Sequence, residues 1–351
     1  MPGDSVTVFS SNFYEEVCLL KIVYPICCGV DVHKNFLVGT IITTQSGSLE
    51  PHYQKRRFST FNSDLNRFAD WLYANNCLDV CMESTGKYWV PVFNILEQRG
   101  LRVVIANPKW VSAVKGEKDD TKDSKWIGEL FRIGIVKSSF IPDKDTRVLR
   151  ELARYRYKLT CMKSSEKNRF QNAFTVCNVA LDSVVSDMFG KSATAITNYL
   201  TSDEVFDPAH CVSLLHHSLK KKADAVIESI EGYSITNEQK ERIGIVRDHL
   251  SYIQNLIERT DSCIARMVEK HESAITLLCT IPGIDRNSAI TIISEIGTDM
   301  NQFGSSKRLC RWAGLTPGNN ESAGKKKSVR ISRAGVYLKP ALVQVAHAAV
   351  K

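Results

Sequence analysis

The chain has 351 residues, of which 43% are hydrophobic and 24% are charged, so it is long enough for two or three domains with a sizeable core. Its net charge of +8 suits an anionic partner, and no apolar stretch reaches the ~20 residues that a membrane span needs. The 11 cysteines include no Cys-x-x-Cys pair, which argues against zinc or disulfide scaffolds and favours buried thiols in a reducing cytoplasm.

Strand and helix patterns alternate in the first half of the chain, after an N-terminal extension of about 24 residues with little pattern. The spacing of apolar residues predicts a meander of three strands, followed by helices and single strands in turn. These patterns predict a mixed sheet covered by helices. The predicted strands are Ile26–Asp31, Phe36–Thr44, about His52–Ser59, Val80–Glu83 and Arg102–Ala106, and the helices are Asn62–Asn76 and about Tyr88–Gln98.

Long helical patterns dominate the second half. One runs from Thr146 to about Ala180 and is rich in arginine and lysine; another runs from Asn237 to His271. The two could pair as an antiparallel coiled coil, although strict heptads are not evident. A polar, mostly helical insert separates them, and a last helix is predicted from Val336 to Lys351. This part of the chain is therefore expected to be mainly α-helical.

Positive charge is concentrated near the C-terminus. The stretch from Lys307 to Lys339 contains nine basic residues and one acidic residue, so its surplus equals that of the whole chain. Such a stretch suits the phosphate backbone of a nucleic acid, although a lysine run is more often a solvated face.

Four acidic residues, Asp31, Glu83, Asp120 and Asp123, are candidates for one metal site. Asp31 and Glu83 each end an apolar run, where an unpaired carboxylate would be strongly unfavourable. Asp120 and Asp123 are three residues apart in a predicted helix start and so share a face. An all-oxygen cage of this kind suits Mg²⁺, and paired ions are common in phosphodiester chemistry.

Two simpler interpretations of the acidic residues remain open at this stage. In one, the aspartates are ordinary turn formers or helix N-caps. In the other, the carboxylates pair with lysines nearby in sequence, which are Lys34, Lys87, Lys118 and Lys122.

Two further motifs follow in the last third of the chain. Thr280–Ala289 predicts a helix, a tight Pro-Gly turn and a second helix; this is either a helix-hairpin-helix that binds a DNA phosphate or a plain αα-turn. Trp312–Lys327 predicts a flexible loop in which Gly324 permits close approach and lysines supply charge. Ser322 in this loop has no histidine base beside it, so the residues alone give it little support as a nucleophile.

Several of these segments together resemble the DEDD transposases of bacterial insertion sequences, of the insertion-sequence one-ten type akin to the Piv DNA invertases. The resemblance covers nearly everything from about Ile26 to the C-terminus, and the order of the segments makes it more specific than any one of them. The segments are Gly29–Lys34, Met82–Gly86, Lys118–Asp123, Glu166–Arg169, Ile281–Ile284 and Ala313–Gly324.

This resemblance implies a RuvC-like domain of the RNase H fold whose four carboxylates, Asp31, Glu83, Asp120 and Asp123, hold two Mg²⁺ ions. It implies that Ser322 attacks DNA and forms a covalent phosphoserine. It also implies a structured guide RNA that pairs with donor and target DNA, and a homo-oligomer, dimer or tetramer, in which the metal domain of one subunit meets the serine of another. The expected nucleic-acid contacts are Arg154, Lys167, Arg169, Gly283, Lys307, Arg311, Lys325, Lys326, Lys327, Arg330 and Arg333.

The domain division that follows has four parts: an extension over 1–24, a RuvC-like domain over 25–144, a helical coiled-coil domain over 145–272 and a mainly helical transposase domain over 273–351. The last helix is expected to be truncated relative to the family. Asp119 beside Asp120 makes the register of the third carboxylate ambiguous, and the spacing to Asp123 favours Asp120. Two rival functions are a metal-dependent junction nuclease without a covalent step and an inactive nucleic-acid-binding remnant.

Overall fold

The computed structural model describes residues 22–45, 50–84, 86–106, 123–136, 138–317, 320–322, 325–328, 330–331 and 334–350, without the side chains of 217, 218, 320–322 and 325–328. The chain divides into two compact units, and the boundary in sequence lies between Ile141 and Pro142. This boundary lies close to the predicted end of the RuvC-like domain. The further division predicted at residue 272 stays a prediction.

A five-stranded mixed sheet forms the centre of the first unit, with strand order β3-β2-β1-β4-β5. The first three strands form an antiparallel meander, and β4 and β5 continue the sheet parallel to β1. This is the arrangement of the RNase H fold, so the predicted fold class is confirmed. The strands are β1 (Ile26–Val32), β2 (Phe36–Thr44), β3 (Pro51–Ser59), β4 (Asp79–Glu83) and β5 (Arg102–Ala106).

Burial explains the order of the strands. Residues 27–30 of β1 and 37–42 of β2 are buried and almost continuously apolar or small, as expected of central strands covered on both faces. By contrast β3 has no buried residue and exposes Lys55, Arg56 and Arg57, charges of the kind that protect a sheet edge from further pairing.

Helices cover both faces of this sheet. On one face α1 (Asn62–Ala74) and α2 (Trp89–Gln98) contribute Phe68 and Leu96 to a core with alternate residues of the strands. On the other face α3 (Asp123–Arg132) packs Ile127 and Phe131 against Cys27 of β1 and against residues of β2, β4 and β5.

Gly29 allows α3 to lie unusually close to the sheet. A Cβ built on Gly29 would overlap the carbonyl oxygen of Ser124 and lie 2.7 Å from the Cα of Gly128, both on α3. The Oγ1 of Thr40 on β2 and the Oγ of Ser124 share a buried hydrogen bond of 2.8 Å at the same place. At this point the helix is therefore held against β1 and β2 by backbone proximity and a buried polar contact, and near its end the Nη1 of Arg132 donates to the Oγ1 of Thr44 at 3.2 Å.

Two 32-residue helices, α4 (Lys144–Thr175) and α8 (Asn237–Val268), form the main axis of the second unit. The Nη2 of Arg156 on α4 donates to the Oδ2 of Asp261 at 3.2 Å, and the Nζ of Lys163 donates to the Oε1 of Gln254 at 2.6 Å. As the residue number rises along α4, the number of the bonded residue on α8 falls. The two helices are therefore antiparallel, as predicted.

The predicted helical insert has its own apolar core, in which Phe174 of α4 packs with Ile196 and Leu200. It contains α5 (Lys191–Leu200), α6 (Pro208–Ser213) and α7 (Ala223–Glu228), with one 3₁₀ turn before α5 and another between α6 and α7.

The rest of the second unit follows α8. Its helices are α9 (Glu272–Cys279), α10 (Arg286–Ile296), α11 (Ser306–Trp312) and α12 (Leu338–Ala349). The predicted flexible loop was wrong in part, because β6 (Asn320–Ser322) and β7 (Lys325–Ser328) pair as an antiparallel ribbon. In the part of the chain that the structure describes, no helix is both long and apolar enough to cross a membrane.

Candidate active site

Asp31 and Glu83 lie level with each other on neighbouring parallel strands. Val30 of β1 pairs with Met82 of β4, so the next residue of each strand is one of the two carboxylates. Gly29 and Cys81, two residues earlier, both face α3, and side chains in a strand return to the same face every second residue. Both carboxylates therefore lie on the α3 face, at the carboxyl ends of β1 and β4.

Asp123 is brought to this same end by the direction of α3. The amide of Tyr24, before β1, donates to the carbonyl of Arg132 at 3.1 Å, whereas Ser124 lies against Gly29 further along the strand. The helix thus runs antiparallel to β1. Its first described residue, Asp123, therefore lies at the end of the sheet that carries Asp31. Three of the four predicted carboxylates share one end and one face of the sheet.

Asp31 has a partner that the sequence analysis missed. The Nε2 of His33 lies 2.8 Å from the Oδ2 of Asp31, and the Asp31 side chain is 19% exposed. Within the described residues, the partner of Asp31 is therefore a histidine two residues along the chain. Of the lysines in the alternative interpretation, Lys118 and Lys122 lie outside the described residues. An Asp-x-His spacing in a strand was the available signal, because residues i and i+2 share a face.

The donor set has the chemistry of a magnesium site, since three carboxylates offer only oxygen ligands. Asp120 lies outside the described residues. Among the residues that the structure describes, no group of three or more His, Cys, Asp or Glu side chains is arranged to hold a metal ion. Asp31, Glu83 and Asp123 therefore share a location without forming a closed cage by themselves, and magnesium binding stays a prediction.

Buried thiols near the site are not competing nucleophiles. Cys27 and Cys81 lie beneath α3, and burial raises the pKa of each thiol to about 12. A thiolate is the reactive form, and it is scarce at neutral pH when the pKa is so high. These cysteines behave as small apolar residues, as the sequence predicted.

Arg154 has a structural role in α4, and its predicted contact with nucleic acid stays a prediction. Its Nε and Nη2 donate to the two carboxylate oxygens of Glu295 at 2.7 and 2.8 Å, and Glu295 is buried. Its guanidinium also lies 4.7 Å from the ring centroid of Tyr337. Removing Arg154 would leave a buried carboxylate without its main partner, so the residue stabilises the packing of α10 on α4.

Lys167 and Arg169 also have partners within the protein. The Nζ of Lys167 lies 4.5 Å from the ring centroid of Phe189, and Arg169 forms an ion pair with the buried Glu166. Arg169 itself is exposed, so its predicted contact with nucleic acid is compatible with this pairing. Both nucleic-acid assignments stay predictions.

The Pro-Gly turn between α9 and α10 is covered by α12. A Cβ on Gly283 would overlap the carbonyl oxygen of Val345 and lie 2.8 Å from the amide nitrogen of Ala349. The Oδ1 of Asp285, at the start of α10, accepts the amide of Ser288 at 2.8 Å, so it caps the helix as a side chain rather than leaving the amide for a phosphate. This geometry favours the plain αα-turn over a phosphate-binding hairpin.

The basic C-terminal residues are only partly described. Lys307 and Arg311 are exposed on α11, and Arg330 is exposed beyond β7. Ser322 pairs with Lys325 across the β6–β7 ribbon, and the backbones of Lys326 and Lys327 continue β7. Arg333 lies outside the described residues. The ribbon thus carries the predicted serine opposite the lysine run.

The chain is also similar to known proteins. Among solved structures, T. thermophilus RuvC in complex with Holliday junction substrate is similar at 11% identity, covering 32% of this chain and 99% of that chain, with a TM-score of 0.25. A second Thermus thermophilus RuvC structure is similar at 14% identity, covering 34% and 85%, with a TM-score of 0.23. No match was found among curated proteins.

Models of two protein families match the sequence. The DEDD transposase model of the IS110 type, described as a transposase, matches residues 28–178, and the model described as "Transposase IS116/IS110/IS902 family" matches residues 275–351. The first match spans the strands that carry Asp31 and Glu83 and the helix that carries Asp123, and the second spans the ribbon with Ser322. Both models name IS110 and they match separate parts of the sequence, so together they support an IS110-type transposase.

Proposed function

We propose that this transposase cuts and rejoins DNA with Mg²⁺ held by Asp31, Glu83, Asp120 and Asp123, and with Ser322 as the nucleophile. The observation that supports the metal site best is the register of β1 and β4, which brings Asp31 and Glu83 level on the face covered by α3. The carboxyl ends of neighbouring parallel strands are where ligands most often bind in sheets of this kind.

The carboxylates have a clear task in this proposal. Bound Mg²⁺ supplies a positive charge that stabilises the attacked phosphate and makes the attacking hydroxyl more acidic. Asp31 and Glu83 provide ligands from rigid strands, and α3 carries Asp123 on a helix fixed to the sheet at Gly29 and Ser124. Rigid placement is what such a site needs, because ligands displaced by about 0.5 Å already impair a designed site.

The proposed covalent step conserves phosphoester bonds. The Ser322 hydroxyl loses its proton, its oxygen bonds to the phosphorus, and the bond from phosphorus to the leaving DNA oxygen breaks, which yields a phosphoserine and a free DNA hydroxyl. In the reverse direction a hydroxyl of a different strand attacks the phosphoserine and restores a phosphodiester and the serine. No nucleotide hydrolysis is needed, because one phosphoester replaces another at each step.

Cations on the α3 face support a DNA substrate. Lys55 and Arg57 of β3 pair with Thr40 and Val38 of β2, so they share the face of Asp31. Lys125, the third residue of α3, is also exposed on this side of the sheet, with its Nζ 3.8 Å from the ring centroid of Tyr53. Positive side chains that flank an acidic centre suit a phosphate backbone that passes over it.

The guide RNA and the oligomer are part of the same proposal and depend on the resemblance to the family. If base pairing with an RNA reads the DNA sequence, the protein needs cations for the backbone rather than base-reading side chains. The exposed basic residues of α11 and the lysines of β7 are suitable for that task.

An adduct assay tests the proposal. The full chain is incubated with element-end DNA, the RNA encoded beside the gene and Mg²⁺, and protein–DNA adducts are separated under denaturing conditions. We expect an adduct that Ser322→Ala abolishes and that Ser328→Ala, on the other strand of the same ribbon, retains. Glu83→Gln should reduce adduct formation at least about 100-fold, whereas Asp70→Asn, an exposed carboxylate on α1, should not.

Other outcomes favour the rival functions. An adduct that survives Ser322→Ala would exclude this serine as the nucleophile. Cleavage that needs Glu83 but forms no adduct favours a metal-dependent nuclease. Full activity of the Glu83→Gln variant would exclude the metal site, and nucleic-acid binding without any cleavage favours an inactive remnant. Omission of the RNA tests the guide separately from the chemistry.

A further inference from the structure

A chain of contacts leads from Asp31 across the β1–β2 hairpin to the edge strand. The Nε2 of His33 lies 2.8 Å from the Oδ2 of Asp31. The His33 ring is stacked on the Phe36 ring, with centroids 4.4 Å apart and an interplanar angle of 29°. On the same Phe36 ring, the guanidinium carbon of Arg57 lies 3.8 Å from the centroid.

The backbone holds these groups in place. The amide of His33 donates to the carbonyl of Phe36 at 2.8 Å, which closes the hairpin over Lys34 and Asn35. From the other side of the hairpin, Thr60 donates its amide to the carbonyl of Asn35 at 3.2 Å and its hydroxyl to the carbonyl of Lys34 at 2.9 Å. The turn is therefore tied to both β1 and the end of β3, which fixes the backbone from which the His33 ring reaches Asp31.

We propose that His33 is a positioning residue for Asp31 and that it tunes the affinity of the site for a divalent cation. An ionised carboxylate can only accept hydrogen bonds, so Nε2 donates to Oδ2 and fixes the orientation of the carboxylate. The other oxygen, Oδ1, is then presented as a ligand without the rotational entropy that a free aspartate would lose. Phe36 and Arg57 hold the ring from the far side.

The inference rests on the proposed metal site and adds a residue to it that does not contact the cation. Groups that hydrogen-bond to metal ligands typically change metal affinity about 10- to 100-fold when they are removed. A role in turn stability alone would lower the melting temperature and leave the affinity of the folded protein unchanged. Cation affinity therefore distinguishes positioning from mere support of the hairpin.

The test measures Mg²⁺ binding to the full chain by calorimetric titration and by the rise of melting temperature with Mg²⁺ concentration, without DNA. His33→Ala should weaken binding about 10- to 100-fold. His33→Gln, whose Nε2 amide reaches a similar position, should restore binding to within about threefold of the original chain. Phe36→Leu should weaken binding by a few fold, because the ring loses its support while the hydrogen-bonding group remains. Melting without Mg²⁺ confirms that each variant is folded.

The outcomes separate this inference from the proposed function. If the original chain binds Mg²⁺ and Asp31→Asn does not, the metal site stands, and an unchanged affinity in His33→Ala overturns the positioning role. Equal losses in His33→Ala and His33→Gln also overturn it, since the hydrogen bond would then not matter. If the original chain binds no Mg²⁺, or Asp31→Asn binds as well as the original, both the metal site and the inference fail. Should His33→Ala not fold, His33→Gln with Phe36→Leu decides the question.

Discussion

Substitution of Gly29 by alanine tests how closely the site depends on the packing of α3. The added Cβ would lie 2.7 Å from the Cα of Gly128, whereas ordinary contact begins at 3.4 Å, so α3 has to retreat by at least about 0.7 Å. The retreat is larger at Ser124, whose carbonyl oxygen the Cβ would overlap. Backbone atoms cannot rotate away as a side chain can, so the helix must move as a body.

The cost of that movement follows from overpacking and from the core that it opens. Overpacked sites typically lose 1–3 kcal/mol, and the shift also separates Ile127 and Phe131 from Cys27 and Cys81. We expect about 2–3 kcal/mol of destabilisation, or a melting temperature lower by roughly 10 °C. Because α3 carries Asp123, its movement should also weaken Mg²⁺ binding at least about tenfold.

A matched control lies on the other face of the same sheet. A Cβ on Gly39 would meet the Cε2 of Phe68 at 2.8 Å and the Cζ3 of Trp71 at 3.3 Å, both side-chain atoms that can shift. Gly39→Ala should therefore cost only about 1 kcal/mol and leave Mg²⁺ binding unchanged. The unit with the sheet contains four of the five tryptophans, so urea unfolding followed by tryptophan fluorescence reports mainly on it. A Gly29→Ala variant as stable as the original, or one that binds Mg²⁺ equally well, would refute this account of the packing.

Three further predictions concern the helical unit. Glu295→Gln should destabilise it by about 2–3 kcal/mol in calorimetric melting because Arg154 would remain partly buried without its counter-ion. Asp203→Asn, at an exposed ion pair, should leave the melting temperature unchanged. Gly244→Ala should raise stability by about 0.5–1 kcal/mol, since a Cβ at this position in α8 meets no atom within 4 Å and alanine favours helix. Hydrogen bonds from Ser288 lower the pKa of Asp285 below its ordinary 3.8. The stability that Asp285 contributes is therefore complete above pH 3.8 and is lost as the pH falls through the lower pKa of the folded state. Asp285→Asn should remove that part of the pH dependence in acid unfolding curves.

Much of the fold was predictable because its signals are local. Continuous apolar runs indicated β1 and β2, and periodic patterns indicated α4 and α8 with errors of a few residues at their ends. The β6–β7 ribbon was missed because Asn320–Ser322 and Lys325–Ser328 have little β propensity. Only two residues separate these strands, which is the usual length of a tight hairpin, and that spacing was the available signal.

The part of the candidate site that depends on the order and direction of the strands was predictable from the sequence. Two strands that each end in a carboxylate, parallel and adjacent, must bring those carboxylates to one edge of the sheet. The direction of α3 over β1 and the histidine beside Asp31 were not predictable in the same way. The direction of α3 depends on a contact between Gly29 and Ser124, which are about 95 residues apart in sequence. The position of the histidine depends on the conformation of a short turn, which no sequence pattern indicated.

The arginines of α4 show that a charge pattern does not reveal which side chains have partners inside the protein. The sequence reads as a basic helix suited to nucleic acid, yet Arg150 donates to the carbonyls of Ser294 and Glu295, and Arg154 pairs with the Glu295 side chain. Arg156, further along, pairs with Asp261 of α8. These guanidinium groups satisfy carbonyls and carboxylates of the helices packed against α4, so part of their charge is already neutralised within the protein. The C-terminal stretch, whose basic surplus equals that of the whole chain, is therefore expected to supply much of the positive charge that binds DNA or RNA.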